Sequence, residues 1–365
     1  MGKSDKNTNK KYKISFCTVC MNRLHHLKKT LPKNIEDNLD YGNVEFVVLN
    51  YGSRDELDVW IKTEMAHHLE NGTLKYIKTT IPTTFHMSHS KNVVAKQATG
   101  DIICNVDADN YIGAHFAAYI NREYNQDKNI YLAVNHKTAR RDCCGRICVF
   151  KEDFLTLKGY DESMEGYGFE DNDFWNRMEL LGRKIRYIDN VEFLQVITHE
   201  DQERLQSESN NTGIYKIYIQ YIDHSLSKLL YLFRDKRFYK GKIVNNYLFN
   251  SRSISNLLAE NQAYEHSYNL YDDTWLTGIW SGGQEYVELR AGNGATSELK
   301  VADAKNPLSK NTFKTDTFYP VTNKEDIEDL IMFFSQINNR IKMKRNKELR
   351  LVAPNISGFG ETVFV

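Results

Sequence analysis

Two apolar, β-prone runs, Tyr12–Val19 and Val44–Leu49, are separated by a stripe of Leu24, Leu27, Leu31, Ile35 and Leu39 that recurs every three or four residues. That spacing is the signature of an amphipathic helix, and a strand–helix–strand order is the unit of a parallel sheet. The pattern continues. Leu57, Trp60, Ile61 and Leu69 mark a further helix, Leu74–Lys78 a strand, Ser90–Ala98 a helix ended by Gly100, and Ile102–Val106 another strand. Pro32 is expected to break or kink the first helix. Val44–Leu49 has no polar face, so it is expected to be buried on both sides. The chain to about residue 110 thus reads as an α/β, Rossmann-like, mostly parallel central sheet flanked by helices.

Ligands of such sheets bind beyond the carboxyl ends of the strands. The strand Ile102–Val106 runs there into Asp107-Ala-Asp109. Side chains two apart in extended chain project to the same side, so the two carboxylates face one ligand. Two acids suit a hard divalent cation, Mg2+ or Mn2+, with coordination sites left for a diphosphate. Read locally, the same triplet is also an ordinary polar turn.

A second acid cluster follows. In Gly166-Tyr-Gly-Phe-Glu-Asp-Asn-Asp173, Tyr167 stands between glycines and Glu170, Asp171 and Asp173 open a helix, Phe174–Leu181, capped by Gly182. Acids in a first helical turn are favoured by the helix dipole. They also place a general base beside an aromatic ring that can stack on a sugar. Further elements are a helix over Gly113–Tyr124 and strands over Ile130–Val134, Arg146–Phe150, Lys184–Ile188 and Val191–Ile197, the last followed by His199 in an acid-rich loop. The loop from His136 to Gly145, with Arg140 and Arg141, is a charged segment able to close over a phosphate.

These stretches, in this order, resemble the GT-A fold glycosyltransferases, most of all the β-1,4-galactosyltransferase family and related bacterial family 2 polysaccharide glycosyltransferases. The resemblance is carried by Asn22-Arg23 with Leu27, by Val48-Leu-Asn50, by Phe85 with Asn92-Val93, by Asp107-Ala-Asp109 and by the glycine–acid box at 166–173. It implies an inverting, metal-dependent transfer of a hexose or N-acetylhexosamine, galactose-type, from a UDP-sugar to a glycan or lipid-linked glycan acceptor in surface polysaccharide biosynthesis. It implies that Arg23, Asn50, Phe85 and Asp107 meet the nucleotide, that Asp107, Asp109 and His199 hold Mn2+ or Mg2+, that Asp171 is the base, and that Glu170 and Tyr167 meet the acceptor. Met21, Met87 and Val196 stand where the family has a basic residue, an Arg and a metal-binding Met, so Lys91 or His89 is expected to supply the charge missing near Phe85. Two other readings are a sugar nucleotidyltransferase, which needs a Gly-rich basic loop that Cys20-Met-Asn-Arg-Leu24 lacks, and a non-catalytic glycan-binding module, which would have lost Asp107, Asp109 or Asp171.

Composition bounds the rest. Lys plus Arg and Asp plus Glu are both 48, which gives no charge argument for a nucleic-acid partner. No apolar run approaches a bilayer span, and the polar start, residues 1–11, reads as a disordered tail without the apolar core of a secretory signal. The six cysteines form no complete zinc motif and read as buried thiols of a reducing, cytoplasmic setting. Residues 12–205 are expected to form the transferase domain and 206–365 a C-terminal α+β region. In that region Ile214–Phe233 is read as a helix broken near Asp223, Trp275–Leu289 as a hairpin, and Lys324–Lys347 as a helix. The basic end of the last helix (Arg340, Lys342, Lys344, Arg345, Lys347) is either a solvated face or a peripheral contact with an anionic membrane.

Overall fold

The computed structural model describes residues 10–80, 84–135, 143–198, 213–222, 226–244, 274–282, 285–303 and 314–365. The chain divides into two compact units, the first made of Met1–Glu165, Phe169–Glu200 and Arg345–Val365, the second of Gly166–Gly168 and Asp201–Lys344.

In the first unit, strands β1 (Ile14–Cys20), β2 (Val44–Tyr51), β3 (Leu74–Thr79) and β4 (Ile102–Asn105) alternate with helices α1 (Leu24–Glu36), α2 (Leu57–Glu64), α3 (Ala66–Glu70) and α4 (Met87–Gln97). A short strand β5 (Asn110–Tyr111), helix α5 (Phe116–Gln126), strands β6 (Ile130–Val134) and β7 (Ile147–Phe150), helices α6 (Lys151–Thr156) and α7 (Glu170–Leu180), and strands β8 (Lys184–Ile188) and β9 (Gln195–Val196) complete it. The main sheet has the order β3-β2-β1-β4-β7-β6-β8. β3, β2, β1 and β4 are parallel, and β7 runs against both β4 and β6. Its two faces carry separate apolar clusters. One joins Phe16, Phe46, Leu27, Leu31 and Phe116; the other joins Val47, Leu49, Val93, Phe154, Tyr160 and Phe174. β2 is buried on both faces, as its apolar stretch Phe46–Leu49 requires.

A buried carboxylate ties the amino ends of β1, β2 and β4 together. Glu45 accepts hydrogen bonds from Ser15, from the backbone and hydroxyl of Thr99, and is paired with Lys13 at 3.0 Å. Burial alone would raise its pKa, but these donors outweigh it and hold it at about 2, against 4.5 for an ordinary glutamate. A depressed carboxylate stabilises the fold above its unfolded value and loses that contribution as pH falls. Glu45→Gln is therefore expected to cost about 3 kcal/mol at neutral pH. It is also expected to flatten the acid limb of stability between pH 4.5 and 2. Urea unfolding across that range checks this, and an unchanged acid limb would contradict it.

Several sequence expectations need correction. α1 continues through Pro32 to Glu36, because Leu31, Asn34 and Ile35 on either side of the proline are buried against the core. Leu39 leaves the apolar stripe and is 43% exposed. Val191–Ile197 is a single 3-10 turn over Val191–Leu194 followed by the two-residue β9. The last segment, Arg345–Val365, belongs with the first unit rather than with a C-terminal region beginning at 206. Phe359 joins the second apolar cluster, and Val365 N–H donates to the carbonyl of Lys78 in β3.

The second unit is a seven-stranded antiparallel sheet, β10 (Ile214–Tyr221), β11 (Leu226–Phe233), β12 (Arg237–Val244), β13 (Leu276–Gly282), β14 (Tyr286–Ala291), β15 (Thr296–Lys300) and β16 (Tyr319–Pro320), ordered β15-β14-β13-β12-β11-β10-β16. The helix expected over Ile214–Phe233 is the hairpin β10–β11. Ile217, Ile219 and Tyr221 alternate, and so do Leu229, Tyr231 and Phe233, which is the period of a strand with one face on a core. The sheet's edges meet, since Ala302 N–H donates to Phe318 O and Phe318 N–H to Lys300 O. Closure leaves no free edge at that seam. Tyr218, Leu230, Leu232, Phe238, Val287 and Leu289 fill one face, and the final helix α8 (Lys324–Glu348) packs Leu330, Phe334 and Ile337 on the other. Arg340, read from sequence as part of a solvated basic face, is 3% exposed. Among the described residues no helix is long and apolar enough to cross a membrane.

Candidate active site

The parallel strands end side by side at Cys20, Tyr51 and Asn105, and the turns beyond them carry the polar residues. Asn22 stands at a left-handed φ of 58° and crosses to the next turn: its N–H donates to Ser53 Oγ and its Oδ1 accepts from Arg54 N. Leu24 N–H, at the start of α1, donates to Asp55. Arg23 sits at the amino end of α1 in this laced pair of turns. Asn50 is 1% exposed and fully engaged, donating to the Tyr76 hydroxyl and accepting from Ser53 N. It builds the floor of the turn. Phe85 meets the Tyr51 ring edge-on at 5.9 Å, and the Tyr51 hydroxyl is bonded to His89 Nδ1 at 2.7 Å.

Asp107 and Asp109 follow β4, which is fixed between β1 and β7. The backbone of this turn is anchored from α1, whose Thr30 hydroxyl donates to Ala108 O and whose Asn34 side chain donates to Asn110 O. Asp109 is oriented by a relay. Arg146 donates from Nη2 to Asn110 Oδ1 at 2.9 Å, and Asn110 Nδ2 donates to Asp109 Oδ1 at 2.7 Å. Arg146 is 1% exposed, so its charge acts undiluted on the turn. Ile197 N–H donates to Asp109 O; His199 lies outside the described residues, as do Arg140 and Arg141.

The acids of α7 meet this pair. Phe169, at a left-handed φ of 68°, turns the chain into the helix. Glu170 and Asp171 are both held by Lys91 of α4, at 2.9 and 2.8 Å. Lys91 is 4% exposed and lies 4.9 Å from the Tyr160 ring centre. Gly145 marks where the groups converge: a Cβ there would stand 3.0 Å from Asp107 Oδ2 and 3.4 Å from Asp171 Oδ2. Asp173, the third acid, is structural. It pairs with Arg177 at 2.7 Å and accepts from Asn346 at 2.9 Å.

Crowding sets the electrostatics. Burial pushes the Asp107 carboxyl above the usual range against the pull of Lys91, and the Asp109 charge adds to the rise. Burial, opposed by Lys91 and reinforced by Glu170 and Asp107, pushes Asp171 up to about 7. Lys91 itself is held above its ordinary value because Asp171 and Glu170 outweigh its burial. A carboxyl near 7 is suited to accept a proton at neutral pH. Among the described residues no three His, Cys, Asp or Glu side chains gather as a complete metal cage. The oxygen-only pair Asp107/Asp109, the side-chain-free space at Gly145 and the excess of negative charge fit a divalent cation that keeps other ligands.

Sequence reasoning thus placed Asp107, Asp109, Glu170 and Asp171 in one site. Lys91, expected to supply charge near Phe85 for the nucleotide, has its ammonium on the two acids of α7. Tyr167 packs in the second unit against the cluster around Ile217, Tyr231 and Phe334. Gly145, Arg146, Asn110 and Asn346 were missed. A cleft of about 700 Å3, lined by Lys10, Gly100, Asp101 and Lys151, lies at the opposite, amino ends of β1 and β4.

Residues 15–137 match the model of glycosyl transferase family 2, and residues 133–200 the model described as the N-terminal domain of galactosyltransferase. No curated protein matches the chain. Solved structures that resemble it include a mannosyltransferase, PcManGT, from Pyrobaculum calidifontis in complex with GDP-Man and Mn2+ (17% identity, 53% of this chain and 59% of that one, TM-score 0.44). Others are S. aureus TarS 1–349 (16%, 49% and 58%, 0.40) and the catalytic domain of Drosophila β1,4-galactosyltransferase 7 in complex with xylobiose (14%, 54% and 75%, 0.38). The chain spans a little under three fifths of the first two.

Proposed function

We propose, for a chain whose residues 15–137 and 133–200 match glycosyltransferase family models, that it is a transferase of the GT-A kind and moves a hexose or N-acetylhexosamine, galactose-type, from a UDP-sugar to a glycan acceptor with inversion at the anomeric carbon. The observation that carries the reading is the convergence of Asp107 and Asp171 on Gly145, with Lys91 fixing the acids of α7. Asp171 takes the proton from the acceptor hydroxyl as that oxygen attacks the anomeric carbon. Its raised pKa makes it basic enough at neutral pH, and Lys91 keeps it oriented. Glu170, on the same ammonium, accepts a hydrogen bond from the acceptor. Arg23 and Phe85 flank the nucleotide, over the floor that Asn50 builds. Asp107 and Asp109, the latter set by the Arg146–Asn110 relay, would hold Mn2+ or Mg2+, and the positive charge supplied there would offset that of a departing diphosphate. A place in surface polysaccharide synthesis on the cytoplasmic face follows from the same resemblance.

A hydrolysis screen of UDP-sugars with Mn2+, read by UDP release, tests the donor. UDP-galactose or UDP-N-acetylgalactosamine is expected to release UDP at least about tenfold faster than UDP-glucose, the discrimination that one hydrogen bond of about 1.4 kcal/mol gives. Release from GDP-mannose alone would overturn the UDP assignment.

A further inference from the structure

The second unit carries a group of lysines that the transfer chemistry does not use. β11 and β12 pair in unbroken register, Leu232↔Phe238, Leu230↔Lys240 and Lys228↔Lys242. Leu230, Leu232 and Phe238 lie in the apolar cluster on one face. By alternation Lys228, Lys240 and Lys242 continue that same face. Lys228 and Lys242 stand directly opposite and Lys240 is diagonal to Lys228, separations of about 5 and 7–8 Å between Cβ positions in such pairs. Lys228 and Lys242 are exposed and Lys240 half-buried. Burial and the neighbouring Lys228 charge hold the Lys240 ammonium below its ordinary value. Among the described residues none of the three forms an ion pair. The neighbours on this face, Gln220 opposite Lys228 and Leu276 opposite Lys240, bring no negative charge.

Like charges directly opposite on a sheet destabilise it. Three of them clustered, with no carboxylate in register beside them among the described residues, suit a ligand that brings several negative oxygens. A phosphate carries a charge of about −1.5 to −2 and strong acceptor oxygens, and lysine ammoniums bind it as point charges. We propose that Lys228, Lys240 and Lys242 form a phosphate-binding site on the second unit that holds a phosphate-bearing acceptor. That the phosphate belongs to the acceptor rests on the transferase reading above; the site itself does not.

The test uses the full chain in EDTA, titrated calorimetrically with sodium tripolyphosphate. The variant Lys228→Gln/Lys240→Gln/Lys242→Gln is compared with Lys28→Gln/Lys29→Gln/Lys128→Gln, which removes the same charge from exposed lysines of the first unit. The expected result is at least a tenfold loss of affinity in the first variant only, with an equal or higher melting temperature because repulsion is relieved. Unchanged affinity, or an equal loss in both variants, would overturn the proposal. Vesicles of phosphatidylglycerol, against phosphatidylcholine, separate the sources. Binding that depends on the three lysines assigns the phosphate to a lipid, and its absence with tripolyphosphate binding intact assigns it to a soluble chain. UDP binding with Mn2+ is measured on the same variants, so failure of the transferase reading is seen separately.

Discussion

Asp171→Asn is expected to lower sugar transfer by about 10²–10⁴-fold, the range over which a positioned general base acts. The amide keeps the shape of the side chain and the neighbourhood of Lys91, but it cannot take the acceptor's proton. Folding and metal-dependent UDP binding should therefore survive, since Asp171 is assigned to the acceptor. In the wild type, kcat/KM is expected to rise with pH through an acid limb at or below about 7, the value to which burial and the neighbouring acids raise Asp171. The direction follows from the role, because the base must be unprotonated to act, and a bound cation beside Asp107 can only move the limb down. Turnover near wild type in a folded Asp171→Asn protein would remove Asp171 from the mechanism.

Lys91→Met is expected to cost about 3–5 kcal/mol of stability, the price of removing one partner from a buried ion pair. The ammonium is 4% exposed and serves Glu170 and Asp171 together, so its loss leaves two buried carboxylates side by side. They respond by taking up a proton. The variant is therefore expected to regain more stability than the wild type as pH is lowered, and to begin at a higher pH, because it lacks the Lys91 charge that limits the rise of Asp171 to about 7. The double variant Lys91→Met/Glu170→Gln should recover part of the loss, because it removes one of the stranded charges. Denaturant unfolding of the three proteins checks this. A loss below 1 kcal/mol for Lys91→Met would mean that the acids do not depend on the lysine.

The first unit was legible in the sequence because its signals are local. Apolar runs and three-to-four-residue stripes decide strand and helix within ten residues, and Asp107 and Asp109 directly follow one such run, although they stand in the turn after β4 rather than on the strand. The partnerships that complete the site join distant positions: Lys91 lies 80 residues from Asp171, and Asn346 lies 173 from Asp173. Nothing near either residue announces them. Arg146 is similarly hidden, since its place beneath Asp109 depends on β7 lying beside β4. The hairpin at 214–233 was misread for a different reason. Leu226, Leu229, Leu230 and Phe233 fit helical spacing, and the competing alternation of Ile217, Ile219 and Tyr221 and of Leu229, Tyr231 and Phe233 is decided only by the sheet that surrounds them. Tertiary context overrides local periodicity there.

The central claim is that the acids after β4 bind a nucleotide diphosphate through a divalent cation. Calorimetric titration of UDP into the full chain, with Mn2+ and then with EDTA, tests it most directly, with Asp109→Ala beside the wild type. The expected result is UDP binding that requires Mn2+ and is lost in Asp109→Ala while that variant remains folded. UDP binding of equal affinity with EDTA and with Mn2+, or undiminished in Asp109→Ala, would contradict it.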